Sequence, residues 1–144
     1  MSLYGEYDAE NIFAKIICGD APCVKVHEDN ETLSFMDVFP QTRGHTLVIP
    51  KNTSARNFLE FPQERIGPYM ARVQTIAQAV VKALEPDGVR IMQFNGEASG
   101  QSVYHLHFHI LPMNQGQIPR LHAGGPMADM NELKALADKI RAAL

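Results

Sequence analysis

Three histidines alternate with apolar residues in one short stretch of the sequence, HLHFHILP, residues 105–112. His105, His107 and His109 are half of the six histidines in the 144-residue chain. Successive side chains of a strand point to opposite faces, so an extended backbone would place the three imidazoles on one face. An imidazole can ligate a metal, carry a proton or attack an electrophile. The spacing therefore marks this stretch as the candidate reactive centre.

Four interpretations of the three histidines compete. They can be a packed or solvent-facing stripe without chemistry, since histidine is intermediate in burial preference. They can be metal ligands, with His45 as a further ligand. They can provide a nucleophile whose histidine neighbours fix its tautomer or move protons. The chain can also bind a nucleotide without any reaction, which would leave the three histidines unused.

The loop before the histidines favours phosphoryl chemistry. NGEASGQS, residues 95–102, contains two glycines, and its Asn95, Gln101 and Ser102 are hydrogen-bond donors. Glycine allows backbone N–H groups to approach an anion closely. Charge that develops on phosphoryl oxygens during histidine attack needs such fixed donors, whereas a metal site would gain little from them. An ordinary hairpin can contain the same glycines, so the loop alone does not decide between the alternatives.

Length and composition bound the class of protein. We expect a single domain, 1–144, because the chain has the size of one domain and 45% of its residues are hydrophobic. No apolar run reaches the roughly 18 residues of a membrane span, and no signal-peptide pattern opens the sequence, so we expect a cytoplasmic protein without membrane contact. The formal net charge is −3, and lysine and arginine do not cluster, which argues against nucleic-acid binding.

Apolar periodicity predicts an α+β fold with a mostly antiparallel sheet of about five strands, because strands and helices are segregated along the chain. The predicted strands are 23–29, 32–38, 45–51, 89–95 and 102–112. The predicted helices are a short one near the N-terminus, a long one over 66–84 and a C-terminal one after residue 129. The first three strands are expected to form an antiparallel meander.

Several residues are expected to set the ends of these helices. Asp8 is a candidate cap for the first helix and Gly19 its stop. Pro68 fits the long helix best in its first turn or at a kink. Asp129 and Glu132 have the spacing of a capping box at the start of the last helix.

The sequence also resembles a known family. GQSVYHLHFHILP resembles the signature of the histidine triad superfamily, in which three histidines alternate with apolar residues after a Gly-Gln-Ser/Thr-Val run. GHTLVIPK, the Phe-x-Asp at residues 35–37 and the Ile-Phe at residues 12–13 are similar to that family as well. The resemblance spans about residues 11–112, leaving a loop and helix at 113–144, and is closest to the Hint-like branch.

The resemblance implies an enzyme, a nucleotide hydrolase or transferase that acts at the α-phosphorus of nucleoside phosphoramidates or related nucleotidyl conjugates. By the family pattern, His107 is the nucleophile and forms a nucleotidyl-histidine intermediate that water resolves. His105 and His109 orient and polarise it, and His45 supports the triad. Two other functions stay open, a dinucleoside polyphosphate hydrolase and a non-catalytic nucleotide-binding module.

The resemblance also implies how a purine nucleotide would be bound. Asp37 matches the carboxylate that accepts the ribose hydroxyls, and Asn95, Gln101 and Ser102 match the donors to the phosphate and leaving group. The residues that match the apolar slot for the base are Ile12, Phe13, Ile16, Phe35 and Val38.

Three further expectations follow from the resemblance. Met113 stands after Pro112 where many relatives carry arginine, which removes a cation near the phosphates and leaves the substrate open. Asn11 and Ala14 replace the cysteine pair that binds zinc in some relatives, and Cys18 and Cys23 form no ligand set, so we predict neither a metal nor a cofactor. Relatives pair across the long helix and a sheet edge, which predicts a homodimer joined at the strand 89–94.

Overall fold

The computed structural model of the chain describes residues 2–121 and 125–144. Its helices are α1 (Ile12–Cys18), α2 (Gln63–Leu84) and α3 (Met130–Ala142). Its strands are β1 (Lys25–Glu28), β2 (Thr32–Met36), β3 (Thr46–Pro50), β4 (Gly88–Met92) and β5 (Phe108–Met113). The predicted α+β class is therefore confirmed. None of the described helices is long and apolar enough to cross a membrane.

One antiparallel sheet contains the five strands in the order β1-β2-β3-β5-β4. The predicted meander is β1 to β3, and β5 then enters between β3 and β4. This insertion brings the end of the histidine stretch beside the strand that follows His45, because Leu47 pairs with His109. The topology thus joins histidines that lie 64 residues apart in the sequence.

The sheet separates two hydrophobic clusters. The larger one contains the buried faces of α2 and α3 and includes Leu106 and Ile110. The smaller one lies on the other face and includes Phe13 of α1, Phe35 of β2 and Leu47 of β3. Apolar residues at alternate positions of the histidine stretch thus pack in the large core, which directs the intervening side chains toward the smaller cluster.

The predicted strand 102–112 is too long at its N-terminal end. The ladder between β3 and β5 begins with Val48 opposite Phe108, so His105 and His107 precede the strand. The reason is local: the Gln101 side chain donates to the carbonyl of Val103, and bends follow over residues 103–105. The three histidines do not form one regular strand face, although their side chains are all buried.

Helix boundaries differ in detail from the predictions. Asn11, not Asp8, caps α1, because its side chain lies three residues before Ala14 and accepts that N–H at 2.9 Å. Gly19 ends the helix as predicted, with φ of 88° in the left-handed region that glycine tolerates. The long helix begins at Gln63, so Pro68 lies in its second turn rather than its first.

The C-terminal helix begins as the capping-box spacing predicts. Asp129 precedes the first helical residue, and its carboxylate accepts the backbone N–H of Glu132 at 3.3 Å. This bond satisfies one of the N–H groups that the first turn leaves without a helical partner.

Candidate active site

A pocket of about 250 Å³ opens on the face of the sheet that carries α1. Residues predicted to hold a base form much of its apolar wall, namely Ile12, Phe13, Ile16, Phe35 and Val38. Polar groups come from Asp37, Ser102, His107 and His109. The structure therefore brings one carboxylate and two histidines of the triad to an apolar slot, an arrangement typical of small-molecule sites.

His107 is held in a defined tautomer. Its Nδ1 lies 2.7 Å from the backbone oxygen of His105. A carbonyl oxygen can only accept, so Nδ1 carries the proton and the lone pair of the neutral ring is on Nε2. The ring packs edge-on against Phe13 and His109, each at a centroid separation of 4.9 Å. These contacts orient a basic nitrogen in a buried ring that lines the pocket.

His45 and His109 form a second, directional pair. The backbone N–H of Gln41 donates to His45 Nδ1 at 3.1 Å, so the proton of neutral His45 is on Nε2. That atom lies 2.9 Å from His109 Nδ1 and donates to it. His109 therefore keeps its own proton on Nε2. The pair presents one N–H donor beside the ring of His107.

Asp37 supplies the negative charge of the site. One carboxylate oxygen accepts the backbone N–H of Phe39 at 2.8 Å, and the other lies 3.5 Å from His45 Nε2. Within residues 2–121 and 125–144, no lysine or arginine lines the pocket. The described lining therefore offers N–H and O–H groups, and neither lysine nor arginine, to an anion.

His105 does not line the pocket. Its Nε2 donates to the carbonyl of Pro50 at 2.8 Å, and its Nδ1 accepts from the hydroxyl of Tyr7 at 2.7 Å. Burial lowers the pKa of His105, which agrees with a neutral ring that donates at one nitrogen and accepts at the other. The contact of this residue with His107 is made by its backbone carbonyl.

The three triad imidazoles do not converge on one point as metal ligands. Among the described residues, the group able to hold an ion is instead Asp37, His45 and His109, whose ligand atoms lie within 4.8 Å of one another. Two nitrogens bound to one tetrahedral zinc at about 2.0–2.1 Å would stand about 3.3 Å apart. The 2.9 Å between His45 Nε2 and His109 Nδ1 is the length of a hydrogen bond.

Gln101, predicted as a phosphate donor, is engaged inside the protein. Its side-chain oxygen accepts the N–H of Gly96 at 2.8 Å, and its amide donates to the carbonyls of Arg56 and Val103 at 2.7 and 3.1 Å. These bonds close the loop before the triad and fix the path of residues 101–103.

Asn95, another predicted donor, also lies away from the pocket lining. Its side-chain oxygen accepts the N–H of Phe58 at 3.0 Å, and its amide donates to the side chain of Gln93 at 2.9 Å. Ser102, the third predicted donor, does line the pocket. The structure thus places one of the three donors at the candidate site.

Sequence reasoning missed several residues of the site. Phe39, Val103 and Cys23 line the pocket, and burial raises the pKa of the Cys23 thiol. Phe39 is 36% exposed and follows Asp37 by two residues, so an aromatic next to a candidate ribose ligand was an available signal. Tyr7 had no such signal, because its partner lies 98 residues away.

Comparison with known proteins identifies similar chains. The HIT domain family model matches residues 19–116. The Hit protein of Bacillus subtilis is 50% identical over 105 residues, 72% of each chain. Adenosine 5'-monophosphoramidase hnt1 of Schizosaccharomyces pombe is 37% identical over 131 residues, 90% of this chain and 94% of that one. A crystal structure of a Hit-like protein from Bartonella henselae, with an unknown ligand, has a TM-score of 0.90 and 47% identity, covering 97% of this chain and 100% of that one.

Proposed function

Because the chain belongs to the HIT family, we propose that it hydrolyses nucleoside phosphoramidates or related nucleotidyl conjugates at the α-phosphorus, through a nucleotidyl-histidine intermediate. One observation carries the proposal: the Nδ1 proton of His107 is bonded to a carbonyl, so the lone pair is on Nε2 of a ring that lines the pocket. A relative of known activity, the Schizosaccharomyces pombe protein, is an adenosine 5'-monophosphoramidase.

The first step forms a bond from His107 Nε2 to phosphorus. At the same time the bond from phosphorus to the leaving nitrogen breaks, and this nitrogen, protonated in the reactive form of a phosphoramidate, departs as a neutral amine. The N–H of His109 donates to a phosphoryl oxygen as charge develops on it. The proton stays on His107 Nδ1 and keeps donating to the carbonyl of His105, so the adduct keeps the same orientation.

The second step returns the enzyme to its starting state. Water attacks phosphorus, the bond from phosphorus to His107 Nε2 breaks, and a nucleoside monophosphate leaves while one proton passes to solvent. His107 regains its lone pair on Nε2, with the Nδ1 proton unmoved. Two displacements at one phosphorus thus replace a direct attack by water.

The charges around the pocket favour a substrate with a single phosphoryl group. Asp37 is negative, and no lysine or arginine of the described chain lines the pocket. A dinucleoside polyphosphate carries several phosphate charges that enzymes usually meet with cations. We therefore place phosphoramidates before polyphosphates as substrates.

A substrate panel tests this order. We expect kcat/KM for adenosine 5'-phosphoramidate to exceed that for a diadenosine polyphosphate by at least about tenfold, the effect of one missing charge-assisted contact of roughly 1.5–3 kcal/mol. Release of adenosine monophosphate is measured by chromatography for both substrates. Faster turnover of the polyphosphate would favour the alternative hydrolase, and nucleotide binding without turnover of either would favour a binding module.

Asp37 is proposed to select ribonucleotides. A carboxylate that accepts both ribose hydroxyls loses one partner when the 2′-hydroxyl is absent, at a cost of roughly 1.5–3 kcal/mol. The wild-type enzyme should therefore prefer the ribonucleotide over the 2′-deoxy analogue by about 10- to 100-fold in kcat/KM, and Asp37→Ala should lose that preference.

The ratio between the two sugars is the informative quantity, because Asp37 also lies near His45 and its loss will lower activity on both. Asp138→Ala is the matched control, since the Asp138 side chain is 73% exposed and contacts Arg141 on α3. A ribose preference that persists in Asp37→Ala would remove this residue from the sugar site.

A homodimer joined at β4 is the proposed assembly. The strand lies at the edge of the five-stranded sheet, where one row of its backbone groups has no neighbouring strand among the described residues. Val89 and Ile91 of this strand are 37% and 48% exposed, and Val81 of α2 is 38% exposed beside them. An apolar surface next to an open strand edge suits pairing with a second copy.

Light scattering should give twice the 16.0 kDa of one chain at micromolar concentration, and Ile91→Lys should shift the protein to monomers. Leu144→Lys is the control, because Leu144 is equally exposed, at 47%, and follows α3. A wild-type mass of one chain would contradict the assembly.

A further inference from the structure

The segment before α1 lies against loops that surround the triad. The carbonyl of Leu3 accepts the side-chain amide of Asn57 at 3.0 Å. The Leu3 side chain also packs so closely on the loop before the triad that a Cβ added at Gly96 would lie 3.1 Å from it. Residues 2–10 are outside the range matched by the family model. Their contacts are with segments that carry the candidate site.

Tyr7 makes the most specific of these contacts. Its hydroxyl lies 2.7 Å from His105 Nδ1, and the two rings meet edge to face at 5.8 Å. Because His105 Nε2 donates to the Pro50 carbonyl at 2.8 Å, Nδ1 must accept, and the Tyr7 hydroxyl is the donor. Both nitrogens of the His105 ring are therefore held, which prevents the ring from turning.

We propose that Tyr7 is a positioning residue for the nucleophile: it holds the His105 ring, and thereby the His105 carbonyl that accepts the Nδ1 proton of His107. The proposal rests on the proposed role of His107 in attack. Tyr7 acts through His105, and neither its ring nor that of His105 lines the pocket.

The backbone geometry explains why a side-chain anchor matters here. The ladder to β3 begins only at Phe108, so the sheet does not fix the carbonyl of His105. One anchor is the N–H of Leu106, which belongs to the same peptide group as the His105 carbonyl and donates to the carbonyl of Ala55 at 3.0 Å. The ring of His105 supplies the other anchor, since it ties this bend to β3 through Pro50 and to the N-terminal segment through Tyr7.

The expected size of the effect follows from orientation. Removing the hydroxyl leaves the buried Nδ1 of His105 without its donor. The ring can then shift and carry its carbonyl with it, and a displacement of about 1 Å in a catalytic group costs on the order of 10²-fold in rate. Binding of base and ribose should be little affected, because most of the apolar pocket wall comes from α1, β2 and the loop after β2.

Tyr7→Phe is the test, since it keeps the ring and removes only the hydroxyl. We expect kcat for adenosine 5'-phosphoramidate to fall about 10- to 100-fold while KM stays within about twofold. Tyr4→Phe is the matched control, because Tyr4 belongs to the same segment and is 67% exposed. Unchanged kcat in Tyr7→Phe, or a fall in kcat accompanied by an equal rise in KM, would overturn the proposal.

A spectroscopic measurement tests the contact independently of turnover. In ¹⁵N NMR spectra of the wild-type protein, His105 should show the neutral form protonated at Nε2, and the Nδ1 proton of His107 should exchange slowly. Tyr7→Phe should shift the ¹⁵N resonance of His105 Nδ1, which loses its hydrogen-bond donor, and should speed exchange of the His107 proton. If phosphoramidates are not substrates at all, the proposed function fails, whereas unchanged spectra in Tyr7→Phe overturn the positioning role itself.

Discussion

Replacing His107 with alanine should abolish turnover and covalent labelling of the enzyme, while nucleotide binding should persist. The nucleophile is the atom that the first step needs, and removal of such a residue lowers kcat by about 10⁴- to 10⁶-fold in other enzymes with covalent intermediates. The binding surface remains, because Asp37 and most of the apolar wall come from β2, its following loop and α1.

The measurement is the trapping of a labelled nucleotidyl group. The wild-type protein, mixed rapidly with a nucleoside phosphoramidate labelled in the nucleoside and quenched without acid, should carry label on a peptide that contains residues 105–109. A bond between phosphorus and a histidine nitrogen should survive alkali and be lost in acid. His27→Ala is the control, because His27 lies on β1, at the opposite edge of the sheet from β4.

The result separates the nucleophile from a metal ligand. If an ion held by Asp37, His45 and His109 activated water directly, phosphorus would never be bonded to the protein and no label would remain. Activity would then depend on the ion and end with chelation. Label on His107 in a chelated enzyme that still turns over would exclude that route. Full turnover by His107→Ala would contradict the mechanism.

Alternation of residue types in the sequence predicts which side chains share a face of the sheet. Leu106 and Ile110 pack in the large hydrophobic core, and Phe108 between them packs against it. This packing directs the alternating histidines to the other side, wherever the strand begins. The same logic places Phe35 on the smaller cluster and leads directly to Asp37 at the end of β2. Apolar residues at every second position indicate which face of a segment packs in the core. This holds for Leu106 and Ile110.

Hydrogen bonds between distant segments were the part that sequence could not supply. Asn95 and Gln101 have the chemistry of phosphate donors, but their partners lie within the protein. These partners are backbone groups of residues 56–58, 96 and 103 and the side chain of Gln93. A side-chain amide has the same composition whether it binds ligand or closes a loop. For the same reason the sequence did not predict a role for Tyr7, because only the tertiary structure brings its hydroxyl to His105.

The predicted start of the last strand, residue 102, was wrong for a related reason, since β5 begins at Phe108. Residues 102–107 have the alternation of a strand, yet their backbone does not pair with β3, whose ladder begins at Phe108. The backbone N–H of Leu106 instead donates to the carbonyl of Ala55. The bend lets the His105 carbonyl face back onto the imidazole two residues later. A regular strand would send that carbonyl toward a neighbouring strand, so the irregular backbone is what creates the acceptor for His107.

Replacing His109 with alanine should slow the reaction by about 10²- to 10³-fold without ending it, the cost of losing one fixed donor to a charge that develops in the transition state. The donor is defined by two hydrogen bonds in series, from Gln41 N–H to His45 and from His45 to His109. These bonds leave the His109 proton on Nε2. KM should change little, because the donor acts mainly on charge absent from the ground state.

A comparison of four variants distinguishes this role from that of His107. His109→Ala should still accumulate label on His107 during long incubation, whereas His107→Ala should not label at any time. His109→Gln retains an N–H donor and should recover part of the lost rate, while the exposed-surface change Asp138→Ala should keep wild-type kcat. A His109→Ala enzyme with wild-type kcat would remove the donor from the mechanism, and label that maps to His109 in the wild-type enzyme would make His109 the attacking residue. We expect a partial loss of rate in His109→Ala and its partial recovery in His109→Gln. Both follow from the tautomer of His109, which the N–H of Gln41 sets through His45.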